Sequence, residues 1–387
     1  MRRVALLAAG GLLALAPAAL ASGPRLVTWT THSRYVDPAT QNFNRPPGVA
    51  PRPNRLRVNI LLPPGYDAHR HSRYPVLYLL HGHGDAFDSW LHPRNGDLRH
   101  TAPNLGAIVV MPDGARGWYT NWWNGGARGR PGWERYHLDE LMPLVDRRLR
   151  IRRGRRWHAI AGLSMGGEGA AYYAAQRPGY FGSVGTFSGT VSILRLEWPT
   201  GFETQGEHFS DVYGDPSAQR FYIAGHDPTS LAANLRYTRV FVAVGDGVPD
   251  PSSADQLKNT FGQVAERDLR MHADDFVAAT RAAGASVTYH PQQGIHDWPY
   301  WRRHLQQALQ WGFFRPVVEH PHDWSFSTVS SFSRAWNVNF HFDAAPDRVE
   351  TFTRHGSRLR GAGSGVVRLG IGRRRRTLRL PFDVRAF

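Results

Sequence analysis

The sequence predicts an α/β fold with a mostly parallel central sheet and helices on both faces, followed by a small β-rich tail. Three observations carry that expectation. Short, almost unbroken apolar runs stand at Pro75–Leu80 and Ala107–Met111, and strands that apolar are buried on both sides, as under covering helices. Strand-like and helix-like stretches then alternate as far as Trp311, the signature of a parallel sheet. From about Pro321 the pattern changes to short alternating runs with no helical signal.

Taken in order, Leu56–Leu62 alternates like a strand and stops at Pro63-Pro64-Gly65, while Ala107–Met111 is closed by Pro112-Asp113-Gly114. Tyr136–Leu149 carries Leu138, Leu141, Val145 and Leu149 at helical spacing, with acids first and arginines last, which suits the helix dipole. Trp157–Ala161, Val184–Phe187, Val240–Val244 and Val287–His290 read as further strands; Glu168–Gln176, Asp268–Ala283 and Trp301–Trp311 read as helices. Residues 195–235 fit this alternation poorly and read as a loop-rich insertion beside the site. In the tail, Ser325–Phe332, Asn337–Phe342, Arg348–Phe352, Val366–Ile371 and Thr377–Val384 read as strands, either of a sandwich-like appendage or laid along the main body.

The N-terminus reads as a targeting segment. Arg2 and Arg3 precede an apolar stretch from Val4 to Ala21 that ends in Ala19-Leu20-Ala21, the layout of a secretory signal cleaved after Ala21. An uncleaved anchor is the competing reading, since the stretch is just long enough to span a bilayer. The expected organisation is a signal peptide at 1–21, an irregular proline-rich segment at 22–54, a catalytic domain at 55–318 and a β-rich domain at 319–387. The expected location is secreted, periplasmic or cell-envelope, with no stable membrane insertion after cleavage. With no cysteine in the chain, disulfides, thiol catalysis and cysteine-based zinc sites are excluded. The net charge of +16 comes almost wholly from scattered arginines and is accompanied by no nucleic-acid recognition motif, so no nucleic-acid partner is expected.

The chemistry centres on Gly162-x-Ser164-x-Gly166, set between a strand and a helix as a nucleophile elbow requires. Such a turn is tight enough to need small flanking residues, and it lifts the serine hydroxyl above the sheet of an α/β-hydrolase fold. The serine needs a base, and the base needs an acid, in the chain order serine, acid, histidine. Of nineteen histidines, His296 follows the last expected strand and precedes the closing helix, where that base belongs. For the acid, Asp246 and Asp250 follow the Val240–Val244 strand, and Glu266 lies further on, before the expected helix; periodicity leaves the three open. The oxyanion donors expected are the backbone N–H groups of Met165 and of His83, in the loop His81-Gly82-His83-Gly84. His81 and His83 also admit a metal-ligand reading, but no matching ligand cluster follows. Trp122, Trp123, Trp298, Tyr300 and Trp301 could line an acyl or sugar site, although aromatics at these spacings are more often packing.

Several blocks in sequence order, "YPVLYLLHGHGD", "VVMPDGARGWYTNWW", "WERYHLDELMPLV", "AIAGLSMGGEGAAYYAAQRPGYFGSVGTFSG" and "GIHDWPYW", resemble the esterase D and antigen-85 mycolyltransferase group of α/β-hydrolases over roughly residues 55–315. The resemblance implies Glu266 as the acid, because the mycolyltransferase glutamate stands ten residues before an aromatic and some thirty before the histidine, as Glu266 stands to Phe276 and His296. It implies an esterase acting on small-molecule or envelope esters through an acyl-enzyme, with no cofactor and no metal. Acyl transfer to a sugar or glycerol is the alternative, and a catalytically inactive secreted binding protein on the same scaffold is a third reading. The mycolyltransferases carry aspartate, leucine and arginine where His81, His83 and Gly84 stand, a departure that argues against transfer to trehalose.

Overall fold

The computed structural model describes residues 23–37, 55–125, 130–195, 202 and 208–385. The expected signal peptide and most of the 22–54 segment lie outside these residues. Eight strands form the central sheet: β1 (Arg25–Thr31), β2 (Leu56–Leu62), β3 (Val76–Leu80), β4 (Ile108–Pro112), β5 (His158–Leu163), β6 (Ser183–Phe187), β7 (Arg239–Val244) and β8 (Ser286–Pro291). Their order is β1-β2-β4-β3-β5-β6-β7-β8. The first two strands run antiparallel, and everything from β4 to β8 is parallel. Within the segment expected to be irregular, β1 is a correction. Arg25–Thr31 pairs along the whole of β2, with Val27 and Trp29 against the core, and an edge strand needs only one apolar face, which the surrounding prolines and arginines mask in the sequence.

Alternation along each buried strand divides the core between two faces. Val76, Tyr78, Leu80, Ile160, Val240 and Val242 point to one side, where α1 (Met165–Gln176) and α2 (Thr260–Ala282) pack. Leu77, Leu79, Ala159, Ala161, Leu163, Phe241 and Ala243 point to the other, under Trp301, Leu305 and Ala308 of α3 (Trp298–Trp311). Because successive side chains of a strand face opposite ways, a strand covered on both sides reads as continuously apolar, which is the pattern met in the sequence.

All four expected helices begin earlier than their periodicity indicates, α1 and α3 by one turn each, at Met165 and Trp298. α2 starts at Thr260 instead of Asp268, capped by the Asn259 side chain accepting from the Gly262 N–H at 2.8 Å, so Glu266 lies inside the helix and not before it. The early turns were obscured because Phe261 and Val264 face solvent while Glu266 faces the core. The 136–149 helix is a run over 133–148 whose middle, Tyr136–Leu141, widens to a π-turn just ahead of Pro143, which has no N–H to give. Residues 209–235 contain short helices, Phe209–Tyr213 and Arg220–His226, and a 3₁₀ turn, Ala232–Leu235.

Among its described residues the tail holds eight strands where five were expected. β9 (Trp324–Thr328), β12 (Glu350–His355), β13 (Arg358–Ala362) and β16 (Phe382–Arg385) form one sheet. β10 (Phe332–Ala335), β11 (Val338–Phe342), β14 (Val366–Ile371) and β15 (Arg374–Arg379) form the other. Phe326, Phe352 and Leu359 of the first meet Phe340, Val367 and Leu369 of the second, so the sheets face one another as a sandwich. Two expected strands each proved to be a pair, split at Val329–Ser331 and at Leu380-Pro381, and β13 was missed because arginine occupies its outward positions.

Arg155 fastens this tail to the sheet. All five guanidinium N–H groups have acceptors: Nε gives to Pro178 O (2.9 Å), Nη1 to Tyr237 O and Val318 O (both 2.8 Å), and Nη2 to Phe181 O (2.7 Å) and Thr238 Oγ1 (3.0 Å). Its ring neighbour is Trp336 of the sandwich, at 4.8 Å, and Glu319 accepts the Arg155 and Arg156 backbone N–H groups. Burial pulls the guanidinium down to about 10 against the pull of Glu319, which leaves it charged at neutral pH. Arg155→Leu should therefore cost about 3 kcal/mol, the loss expected when buried carbonyls are left unpaired, and lower the melting temperature by roughly 10 °C. Arg155→Lys should recover only part, since one ammonium cannot reproduce the fork. A melting curve by circular dichroism that is unchanged in Arg155→Leu would refute this role.

Candidate active site

The ends of the parallel strands from β3 to β8 gather the polar groups, as expected where ligands bind in open α/β sheets. Ser164 follows β5 directly and sits at φ 52°, ψ −124°, a strained conformation for a residue with a side chain. The glycines make the bend. A Cβ on Gly162 would stand 2.2 Å from Gly166 O, and one on Gly166 would stand 2.5 Å from His81 O, so neither position has room for a side chain. The Gly167 and Glu168 N–H groups both turn back to Ser164 O, which winds α1 directly from the bend.

His296, in the loop between β8 and α3, places Nε2 2.9 Å from Ser164 Oγ and Nδ1 2.8 Å from Glu266 Oε2. Glu266 is fully buried, and its other oxygen, Oε1, accepts from the Ser188 hydroxyl at 2.6 Å and the Gly245 N–H at 2.5 Å. Burial alone would push this carboxyl up, but the hydrogen bonds and charge of His296, with those of Ser188 and Gly245, hold it below its ordinary value. An ionised Glu266 in turn fixes the imidazole with its proton on Nδ1, leaving Nε2 as acceptor toward Ser164.

Asp246 and Asp250, the other acids considered, face elsewhere. Asp246 Oδ1 accepts from the Val248 and Gly294 N–H groups, and Asp250 is exposed and turned onto Ser252. His81 is buried, accepts the Gly114 N–H on Nε2 at 2.9 Å, and so donates from Nδ1 to Gly82 O at 2.8 Å. With both nitrogens so engaged it shapes the loop and offers no lone pair to a metal. That loop lies against Ser164: a Cβ on Gly82 would stand 3.4 Å from Ser164 Cβ. His83 is partly exposed with its ring 5.7 Å from Trp118, and Met165 opens α1, whose first N–H groups have no partner within the helix.

Sequence reasoning missed Ser188 and Gly245 and left Trp301 among packing residues. Trp301 donates its indole N–H to Ser188 Oγ at 3.2 Å, so the Ser188 proton has only Glu266 to go to. The same indole meets the His296 ring edge-on, with centroids 4.8 Å apart. The available signal was positional: Ser188 and Gly245 each stand one residue beyond a parallel strand. Of the other aromatics, Trp122 gives its N–H to Gly117 O, Trp298 packs on Trp90 and Trp301, and the Tyr300 hydroxyl bonds Gln256. Glu168, four residues past Ser164, is pushed up to about 8 by burial and is held by the Thr190 and Tyr213 hydroxyls. At neutral pH it is therefore mostly uncharged, which keeps a negative charge away from the first turn of α1.

The Esterase family model matches residues 52–311, two thirds of the chain and the whole of this site. The chain belongs to the Esterase family. It is 31% identical over 249 residues to an esterase of Mycobacterium tuberculosis H37Rv, an alignment covering 62% of this chain and 52% of that protein. The chain thus spans about half the length of that relative. It is 28% identical over 249 residues to the diacylglycerol acyltransferase/mycolyltransferase Ag85B of Mycolicibacterium smegmatis, covering 60% of this chain and 75% of the relative. Among solved structures, an S-formylglutathione hydrolase from Agrobacterium tumefaciens superposes with a TM-score of 0.56 at 18% identity, covering 76% of this chain and 96% of that one. The fold is that of the α/β-hydrolases, and no helix among the described residues is long and apolar enough to cross a membrane.

Proposed function

We propose that this protein is an exported serine esterase that cleaves carboxylic esters through a covalent acyl-enzyme on Ser164. His296 Nε2 takes the serine proton as Oγ attacks the ester carbonyl, and Glu266 stabilises the imidazolium that forms. The N–H groups of Met165 and His83 bind the oxyanion. As the tetrahedral adduct collapses, the C–O bond to the alcohol breaks and His296 returns its proton to the leaving oxygen. Water then repeats the sequence, giving the free acid and the restored serine. The observation that carries this reading is the unbroken relay from Ser164 through His296 to a buried, ionised Glu266 at 2.9 and 2.8 Å. Export rests on the sequence of residues 1–21, and N-terminal sequencing of protein recovered outside the cytoplasm should begin at Ser22.

Acyl transfer is the second reading, favoured by the similarity to a mycolyltransferase over 249 residues. The two differ only in what attacks the acyl-enzyme. Incubation with p-nitrophenyl esters of increasing chain length, with and without added glycerol, separates them: hydrolysis gives free acid in both, and transfer gives acylated glycerol. A fluorophosphonate that fails to label Ser164 would overturn both.

The Ser188 contact adds a quantitative expectation. Ser188→Ala removes one acceptor-facing bond from Glu266 and strands the Trp301 indole, so kcat for a p-nitrophenyl ester should fall about tenfold with KM nearly constant. An unaltered kcat would mean that the Gly245 N–H alone suffices to hold the carboxylate.

A further inference from the structure

A cavity of about 450 Å³ opens between the main sheet's loops and the start of the sandwich, and neither Ser164, His296 nor Glu266 lines it. One wall is aromatic: Trp123, 42% exposed, lies edge-on to Tyr222 with centroids 5.0 Å apart. Another part is Tyr35, whose ring carries the Arg135 guanidinium 4.2 Å above it. Glu134 also lines the cavity, buried, accepting from Asn121 Nδ2 at 2.7 Å and from Ser330 Oγ at 3.3 Å. Ser330 belongs to the segment joining β9 to β10, so the cavity exists only because the tail packs here.

Two of the three lining arginines are already engaged, Arg135 with Asp139 at 3.1 Å and Arg34 with Glu140 at 3.2 Å, and Arg177 also holds Asp139. Burial pushes Glu134 up to about 7, so near neutral pH this carboxyl both donates and accepts. A pocket with flat aromatic faces, two of its arginines paired with acids and the third, Arg130, exposed to solvent, and amide, hydroxyl and carboxyl groups clustered together fits a ligand that is uncharged, has apolar C–H faces and carries several hydroxyls. We propose that this cavity binds a neutral carbohydrate, its ring on Trp123 and its hydroxyls on Glu134, Asn121 and Ser330.

The position relates this site to the nucleophile. One loop carries both Trp118, beside His83, and Trp123, five residues on and so at most about 18 Å away along the chain. A saccharide held in the cavity and extending along this loop by several units would bring an ester toward Ser164. That use rests on the esterase reading; the binding itself does not.

The test therefore uses the full chain carrying Ser164→Ala, so that binding is read without turnover. Calorimetric titration with xylohexaose, cellohexaose and trehalose, with an oligogalacturonate as charged control, should give saturable binding of at least one neutral sugar. Trp123→Ala should weaken it about tenfold or more, equivalent to about 1.4 kcal/mol, and Trp123→Phe should retain most of it. Because Trp123 is substantially exposed, the melting curve should not move. No binding of the three neutral sugars, equal binding by Trp123→Ala, or preference for the oligogalacturonate would each overturn the proposal. Saturable binding in a wild type that lacks esterase activity would sink the esterase reading and leave this one standing.

Discussion

Ser164→Ala should lower kcat toward a p-nitrophenyl ester by about 10⁶, with KM changed little, because the nucleophile goes while the groups that bind substrate stay. The residual rate should match that of His296→Ala and of the double substitution, since a relay that works as a unit is lost once any essential member is lost. Stability separates this from damage to the fold. Alanine at φ 52° carries the same Cβ strain as serine, so the melting temperature of Ser164→Ala should stay near that of the wild type. Ser164→Gly removes that strain and should be more stable by about 1 kcal/mol while equally inactive. The pairing of lost activity with gained stability at one position is the outcome to look for. A glycine variant that is less stable would mean that the bend is not strained, and retained turnover in Ser164→Ala would mean that another group attacks the ester.

Much of this geometry can be read from residue order because its constraints are local. The Gly162-x-Ser164-x-Gly166 turn leaves no room for Cβ atoms at its glycines, so the sequence has to declare it. Buried parallel strands are apolar on both faces, and their boundaries fall within a residue or two of the expected ones. Reading fails where a residue's environment comes from distant chain. Family resemblance points to Glu266 as the acid, yet periodicity starts the helix at Asp268, beyond a residue that the helix in fact contains. Its solvent-facing neighbours Phe261 and Val264 invert the usual amphipathic pattern over those turns. Ser188 is a serine after a strand, indistinguishable from any loop serine until α2 and α3 bring Glu266 and Trp301 to it. The sandwich is hard to read because β15 exposes nearly every residue and so lacks the alternation of a half-buried strand, while β13 alternates strictly but buries only Leu359 and Gly361 between its arginines, too short an apolar signal to stand out. The junction with the sandwich, where Arg155 and the Glu134 cavity lie, has no sequence signature at all, since it joins residues some 160 to 200 positions apart.

Glu266→Gln should reduce kcat by about 10⁴ while Asp250→Asn and Asp246→Asn leave it near wild type. The reason lies in the hydrogen bonds on the far side of the carboxylate. Two donors, the Ser188 hydroxyl and the Gly245 N–H, converge on Oε1, so a glutamine at this position must turn its carbonyl oxygen toward them. Its NH₂ then faces His296 Nδ1, which becomes an acceptor, and the imidazole proton moves to Nε2. That nitrogen can no longer take a proton from Ser164, although every atom stays in place. The same bonds set a pH signature. With its pKa held below the ordinary 4.5, Glu266 adds stability that is fully present above that value and is lost as pH falls through the folded-state pKa. The gap in melting temperature between wild type and Glu266→Gln should therefore be widest near neutral pH and close below about pH 4.5. A gap that persists unchanged into acid would mean that Glu266 is buried uncharged, and a larger kinetic loss in Asp250→Asn would move the acid's role to the β7–α2 loop.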